Sequence, residues 1–591
     1  SLCIIAEVFH ADRARKSIGT APGGGVHLQH CIAESHFNRI YPFLSRVLLE
    51  QGIIQSPLRA VVRKGKEHFV CDNRLEQRIE AIRHKQKNAV QKAALLSLRK
   101  HYDMDSVKNL SGFDRRLVCV PKFCPRECPG RQMCRYQRYL EESRKQDVFI
   151  QICNHNYLLA DAYHRAEGYK PLLSDYRTLI VDEAHKLPEA ARQMGLEKTV
   201  CMDDIREIAY YLEREHQKEE AKILRTVMHD ALHVVGAEHR IGKGIRETFR
   251  HTTDSVVSLW EGVEMLEFLL DKLEKCVPKW IRNRLEDAKE VLKCFCSSDE
   301  KYVCYLQFDT EQLPVLCAAS REIPELLRKM LWDREEWISA ILTSGTLKAG
   351  AGFLRTRQIT GLEGRAGVQE YVAESPFSYE RNCLLYLPKT LEHCRRGSRE
   401  EAVMVANQIH SLICSTYGHT LVLFTSYTLM GSVYQILRDS LPFPMVEVWR
   451  HSQEEILRFK TMENGVLFAA GSCWEGVDFP GDMVSSLIIV KLPFAVPDPI
   501  SEAEKETYDS LETYIQSIIV PDMQKRLRQG FGRAIRTETD TCVVSILDNR
   551  AVQGGKYHED VLNALPTCQM AEELREVQAF IRSRKGVEYY L

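Results

Sequence analysis

The hydrophobic pattern changes character several times along the chain, and each change marks a unit. Residues 36–52 place Phe37, Ile40, Phe43, Leu44, Val47 and Leu48 at helical spacing. Residues 177–188 (RTLIVDEAHKLP) form a short apolar run that stops on two carboxylates. A central parallel strand delivers acids to the C-terminal edge of its sheet in this way. From about 196 to 335 the chain is rich in Glu, Lys and Leu at helical periodicity with few strand signals, which predicts an inserted helical domain. Ile341 to Leu347 gives another short strand running into small polar residues. Beyond about 375, strands at 420–426, 464–470, 486–490 and 542–548 alternate with helices, which predicts a doubly wound α/β domain.

Composition narrows the class. The 591 residues are 44% hydrophobic and 27% charged, which excludes a disordered or collagen-like chain. That length suggests about three to five domains. No stretch approaches the roughly 18 apolar residues of a membrane span, so no membrane association is expected. Ser1 to Glu7 is too short for a secretory signal, and a reduced, cytoplasmic setting is expected. The net charge of −1 excludes a globally basic nucleic-acid coat. Residues 59–100 nevertheless carry twelve Lys/Arg against four Asp/Glu. Such a stretch is either a solvated helix face or a set of phosphate contacts.

Twenty cysteines are many for a reduced protein. Most sit singly in apolar runs, as small buried hydrophobes do. Cys119, Cys124, Cys128 and Cys134 instead crowd into sixteen residues, with Pro121, Pro125, Pro129 and Gly130 between them, and Cys71 lies upstream. Turn-forming residues let the thiols converge, and four thiolates hold either tetrahedral zinc or an iron–sulfur cluster. One remote cysteine plus a tight trio suits a cluster better than paired CxxC knuckles, and Cys119 is the expected spare.

Three segments carry catalytic chemistry. In Asp182-Glu183-Ala184-His185, Asp182 can hold Mg²⁺ through water and Glu183 can polarise a water attacking a γ-phosphate, while His185 couples that site to a neighbouring surface. In 524–536, Gln529, Arg533 and Arg536 share one helix face, where two guanidiniums can clamp transition-state charge. Residues 471–482 (GSCWEGVDFPGD) put Gly476 and Asp478 at a strand–loop junction.

With these motifs in this order, the chain resembles the DinG/XPD group of superfamily 2 helicases, and within it the bacterial DinG branch. Asp182 to His185 resembles its Walker B motif, Thr343-Ser344-Gly345-Thr346-Leu347 motif III and Thr425-Ser426-Tyr427 motif IV. Trp474 to Asp478 with Lys491-Leu492-Pro493-Phe494 resembles motif V, and Gln529 to Arg536 motif VI with its arginine fingers. Cys71, Cys124, Cys128 and Cys134 fall where the group's four iron–sulfur ligands are expected, and Cys153 to Asp161 resembles its stretch between cluster and Walker B.

The resemblance implies an α/β architecture of two RecA-like doubly wound domains with an iron–sulfur domain and a helical arch inserted into the first. The boundaries expected are 1–66, 147–195 and 336–374 for the first motor domain, 67–146 for the cluster domain, 196–335 for the arch and 375–591 for the second motor domain. It implies an ATP-dependent 5′→3′ DNA helicase that uses Mg²⁺ and a [4Fe–4S] cluster and threads single-stranded DNA at duplex or R-loop junctions. Gly476 and Asp478 would then help bind nucleotide, and the basic stretch and Trp474 would contact DNA. Such a protein would act as a nucleoid-associated monomer, recruited to a repair or CRISPR effector complex.

One element departs from the pattern. The phosphate loop G-x-x-x-x-G-K-[ST] has no intact counterpart. His10 to Ser17 offers Lys16 and Ser17, but His10 and Arg15 stand where glycines belong, and a Cβ there obstructs the approach of backbone N–H groups to phosphate. Val26 to His30, which resembles motif Ia, follows too closely for a helix and strand between them. We expect residues of the native protein to be missing from this stretch. The alternative is a DNA-binding adaptor on a helicase scaffold that no longer hydrolyses ATP.

Overall fold

Five short strands build the first sheet, in the order Ala60–Arg63, Ile150–Cys153, Leu28–Cys31, Thr178–Asp182, Ser339–Thr343, with every pairing parallel. Ile150–Cys153 and residues 178–181 are buried throughout, as apolar runs in a covered parallel sheet are. The computed structural model describes residues 28–31 and 43–590, apart from 44, 84–88, 108, 122–123, 125–127, 129, 146–147, 240–245, 275, 298, 309–312, 335–338, 349–351, 390–394, 396, 450–452, 475–476, 478 and 480. Two long excursions leave this sheet, one between Arg63 and Ile150 and one between Asp182 and Ser339.

The first excursion holds the helices Asp72–Ala81, Ala89–Ser97, Gly112–Val118 and Arg135–Glu142 around a small core of Val70, Leu75, Leu95, Met104 and Val118. Here part of the positive excess seen along 59–100 is answered in space. Arg59 pairs with Glu142 (2.9 Å), Lys64 with Asp103 (2.7 Å), Arg78 with Asp114 (2.8 Å) and Arg99 with Glu76 (2.6 Å). Three of those four acids lie outside the basic segment. Arg63 is buried and donates to the Leu172 carbonyl (2.7 Å) and the Tyr157 hydroxyl (3.2 Å). A linear charge count does not see these partners.

The second excursion packs four helices, Met202–Arg214, Lys218–Glu238, Thr253–Lys272 and Lys279–Ser297, around a leucine-rich core. Beside them stands a four-stranded antiparallel sheet, ordered Glu197–Val200, Pro314–Ser320, Tyr302–Phe308, Arg246–Thr248. The helical reading of 196–335 did not include this sheet. Its outer strands Glu197–Val200 and Arg246–Thr248 are short and polar, and the inner Pro314–Ser320 carries Cys and two Ala, so the strand signal is weak. The sheet presents Val303, Tyr305 and Ala319 to Ile500 and Ala503, so this unit, inserted in the first lobe, also packs on the second.

The second sheet has seven parallel strands: Met445–Val448, Val466–Ala470, Thr420–Phe424, Ser486–Ile489, Cys542–Ile546, Cys383–Tyr386 and Gln569–Ala571, in that spatial order. The five strands between its edges are buried along their whole length, with a hydrophobic core on each face. The architecture is thus α/β with two doubly wound lobes and two insertions. Among the described residues, no helix is long and apolar enough to cross a membrane.

Candidate active site between the lobes

The register of the first sheet sets Asp182 directly beside Thr343, so the segments that follow both strands emerge side by side. Glu183 then turns into left-handed backbone at φ 47°, a conformation an L-residue adopts at a cost of about 1–3 kcal/mol. This turn lays its carboxylate against the neighbouring loop. The Ser344 hydroxyl donates to Glu183 Oε2 (2.6 Å), and His185 Nδ1 lies 3.1 Å from the same oxygen and 2.9 Å from Ser344 Oγ. Thr346 closes the group, its N–H donating to Ser344 Oγ (3.2 Å). The His185 contact, with help from Ser344, holds the Glu183 carboxyl at about 2, against the opposing effect of burial. The carboxylate is therefore ionised and half-exposed, while His185 is only 6% exposed.

The other ring nitrogen of His185 reaches the second lobe. Gln529 Nε2 lies 3.1 Å from His185 Nε2, so an amide N–H donates to a bare ring nitrogen. Nδ1 faces the carboxylate side, so the ring joins Glu183 and Ser344 to Gln529. Gln529 sits in the helix Val520–Phe531, and its neighbour Arg528 also bridges the lobes, donating to the carbonyls of Lys348 (3.0 Å) and Ala564 (3.1 Å). The helix ends at Phe531, so the single helix face expected for Gln529, Arg533 and Arg536 does not form; Gly532 closes the helix and Arg533 lies beyond it, its guanidinium bonded to the Val477 carbonyl. At Arg536 the turn is fixed from behind, because Asp540 accepts the N–H groups of Arg536 and Thr537 (2.8 Å each).

The structure corrects the expectation for Trp474. Its ring is not a base-stacking surface but lies 9% exposed in the core, with Nε1–H donating to the Phe424 carbonyl (3.0 Å). A lone tryptophan beside a glycine-rich loop does not reveal which side of the loop it faces. The ring lies on Gly530, where an added Cβ would meet Trp474 Cζ3 at 2.7 Å. Gly→Ala in a helix ordinarily gains about 1 kcal/mol. Here Gly530→Ala is expected to destabilise the second lobe by about 1–3 kcal/mol through overpacking. A lowered midpoint in denaturant unfolding checks this, and an unchanged or raised one would show that the ring is not seated there.

Gly476, Asp478 and the stretch His10 to His27 lie outside the described residues. The thiols are described. Cys71 and Cys134 each precede a helix and share an apolar cluster with Phe69, Val120 and Tyr136. Burial raises the Cys124 thiol, Lys66 opposes this, and Cys71, Cys134 and Cys128 add to the rise, so the four lie within electrostatic reach of one another. Asn73 donates to Cys128 Sγ (3.6 Å). Cys119 turns away, its thiol donating to the Arg116 carbonyl (3.3 Å). Among the described residues, no three His, Cys, Asp or Glu side chains converge as closely as a metal requires.

Two contributors were absent from the residues singled out by sequence. His155 donates from Nε2 to the Asp182 carbonyl (2.9 Å), and burial holds its pKa below the usual value, which keeps it neutral beneath the acids. It follows the buried strand Ile150–Cys153, where Asn154 caps the next helix by accepting from the Tyr157 N–H (2.8 Å). Arg528 was the other, and the basic run around Gln529 was its only signal. A groove of about 550 Å³ lies between the lobes here, lined by His155, His185 and Lys186 on one side and Lys525, Arg526 and Gln529 on the other.

Comparison with known proteins places this geometry. The helicase C-terminal domain family matches residues 409–568. The ATP-dependent DNA helicase YoaA of Haemophilus influenzae is 27% identical over 93% of this chain and 87% of its own length. The 3′-5′ exonuclease DinG of Bacillus subtilis is 24% identical over 90% of this chain, which spans 64% of that protein. A solved XPD helicase shares the fold, with a TM-score of 0.53, 17% identity and coverage of 93% of this chain and 92% of the other. The chain is therefore similar in sequence to the DinG and YoaA helicases along most of its length and shares its fold with XPD.

Proposed function

We propose that the protein is an ATP-dependent DNA helicase whose hydrolytic site lies where the two lobes face each other. The observation that carries this reading is the link Glu183–His185–Gln529, which joins the acid of one lobe to the helix of the other. A relay through that contact lets closure of the lobes set the position of the catalytic carboxylate. In this reading Glu183 orients and deprotonates the attacking water, and Arg533 and Arg536 stabilise charge on the phosphoryl group in flight. Asp182 would hold Mg²⁺, which when bound neutralises phosphate charge, and Gly476 and Asp478 would line the nucleotide site.

Single-stranded DNA would thread in the 5′→3′ sense between the lobes and the two inserted units, opening duplexes or R-loops. The protein would work as a cytoplasmic, nucleoid-associated monomer, recruited to a repair or CRISPR effector complex. The test is nucleotide-dependent strand displacement by the full-length protein. An adaptor without hydrolysis, the reading that His10 and Arg15 favour, would bind single strands and displace nothing.

Cys71, Cys124, Cys128 and Cys134 would hold the [4Fe–4S] cluster, which when bound staples the first inserted unit together. A donor set of thiols only fits that chemistry, and the withdrawal of Cys119 leaves four ligands. The purified protein is expected to be brown, and Cys128→Ser to remove its broad visible absorbance. A colourless parent protein that contains zinc, or no metal, would defeat the assignment.

A further inference from the structure

Three cysteines that play no part in the cluster stand in a row across the second sheet. Cys383 is in register with Cys542 on the neighbouring parallel strand. On its other side Leu384 is in register with Gln569, which sets Cys383 opposite Cys568 one step earlier. Neighbouring strands lie about 4.8 Å apart, within the Cα separation of about 4.4–6.8 Å that a disulfide spans. Cys568 packs against the buried cluster that contains Cys383 and Cys542. Cys383 and Cys542 are completely buried, whereas Cys568 is partly exposed beside the edge strand.

We propose that Cys568 and Cys383 form a peroxide-sensitive dithiol that closes to a cross-strand disulfide, with Cys568 as the attacking thiol and Cys383 as the resolving one. The Cys568 sulfur attacks one peroxide oxygen, the O–O bond breaks, and the thiol proton leaves with the displaced oxygen as water. The sulfenic acid formed on Cys568 is then attacked by the Cys383 sulfur. The S–O bond breaks as the S–S bond forms, and the hydroxyl departs with the Cys383 proton as a second water. Two thiols are oxidised by two electrons, and one hydrogen peroxide is reduced to two waters.

The division of roles follows from the surroundings. The proximity of the two thiols lowers the pKa of the Cys568 thiol and raises that of the buried Cys383 thiol. Cys542 is a spectator, since burial pushes its thiol up to about 12 and no peroxide reaches it. The row sits at the N-terminal ends of the strands. The bond would tie the edge strand Gln569–Ala571 to its neighbour.

The experiment treats the intact protein with hydrogen peroxide, alkylates remaining thiols and maps peptides by mass spectrometry. The expected result is a Cys383–Cys568 cross-link, reversed by dithiothreitol, with slower amide exchange over 569–571 in the oxidised protein. Cys568→Ser is expected to abolish the cross-link. Cys383→Ala is expected to leave a sulfenic acid on Cys568 that dimedone traps. Should that variant not fold, the cross-link in the parent protein still decides. A Cys568 that stays alkylatable, one oxidised to sulfinic acid without a cross-link, or a bond joining Cys383 to Cys542 would each overturn the proposal.

Discussion

Replacing Glu183 with Gln is expected to lower DNA-stimulated ATP hydrolysis by about 10²–10⁴-fold, the range supplied by a positioned general base. The amide keeps the size of the side chain and still accepts from Ser344, so the fold and the turn at φ 47° should persist. What it loses is the charge that His185 and Ser344 hold in place, with the carboxyl at about 2. Because the folded value lies below the ordinary one, the linked stability is complete above the unfolded carboxyl's pKa and is lost as pH falls through about 2. Hydrolysis measured between pH 5 and 9 should therefore show no acid limb from Glu183. Steady-state turnover, with an unfolding midpoint as a control, checks the expectation. Unaltered turnover in Glu183→Gln would remove Glu183 from the chemistry.

Removing either guanidinium of the opposite lobe is expected to cost about 10³–10⁵ in kcat, the range for an arginine finger. Arg533→Ala and Arg536→Ala should leave nucleotide binding within a few-fold of the parent, since the role assigned to both is in the transition state. A lysine at either place should not restore the rate, because an ammonium lacks the planar fork. The backbone that carries them is held independently, by Asp540 behind Arg536 and by Trp474 beneath Gly530. A fall in kcat therefore reports the side chain and not a displaced helix. Loss of binding with an unchanged kcat would assign both residues to ground-state contacts instead.

The elements legible in the sequence were those whose burial is uniform. The runs at 420–426, 464–470, 486–490 and 542–548 contain Thr420–Phe424, Val466–Ala470, Ser486–Ile489 and Cys542–Ile546, which are apolar because both faces are covered. The edge strands Met445–Val448 and Gln569–Ala571 have one side exposed and carry Glu447 and Gln569, which hides them. The pair Tyr302–Phe308 and Pro314–Ser320, inner strands of the small sheet, was lost because it follows long helices whose periodicity dominates that stretch.

At the candidate site, Asp182, Glu183, His185 and Gln529 were singled out from their motifs, and the structure brings Glu183, His185 and Gln529 into contact. The orientation of the His185 ring could not be read in this way, since it depends on two residues far apart in the chain, Ser344 and Gln529. Trp474 shows the limit from the other side. Residue type suggested an aromatic contact for DNA, and only the third dimension reveals that Gly530 lies beneath the ring.

The central claim is that the two lobes convert ATP hydrolysis into movement along DNA. Strand displacement from a partial duplex with a single-stranded 5′ tail tests it most directly, using full-length protein with ATP or a non-hydrolysable analogue. The account predicts displacement with ATP, none with the analogue, and none when the tail is 3′. Tight binding to the tail without ATP-dependent displacement would contradict it.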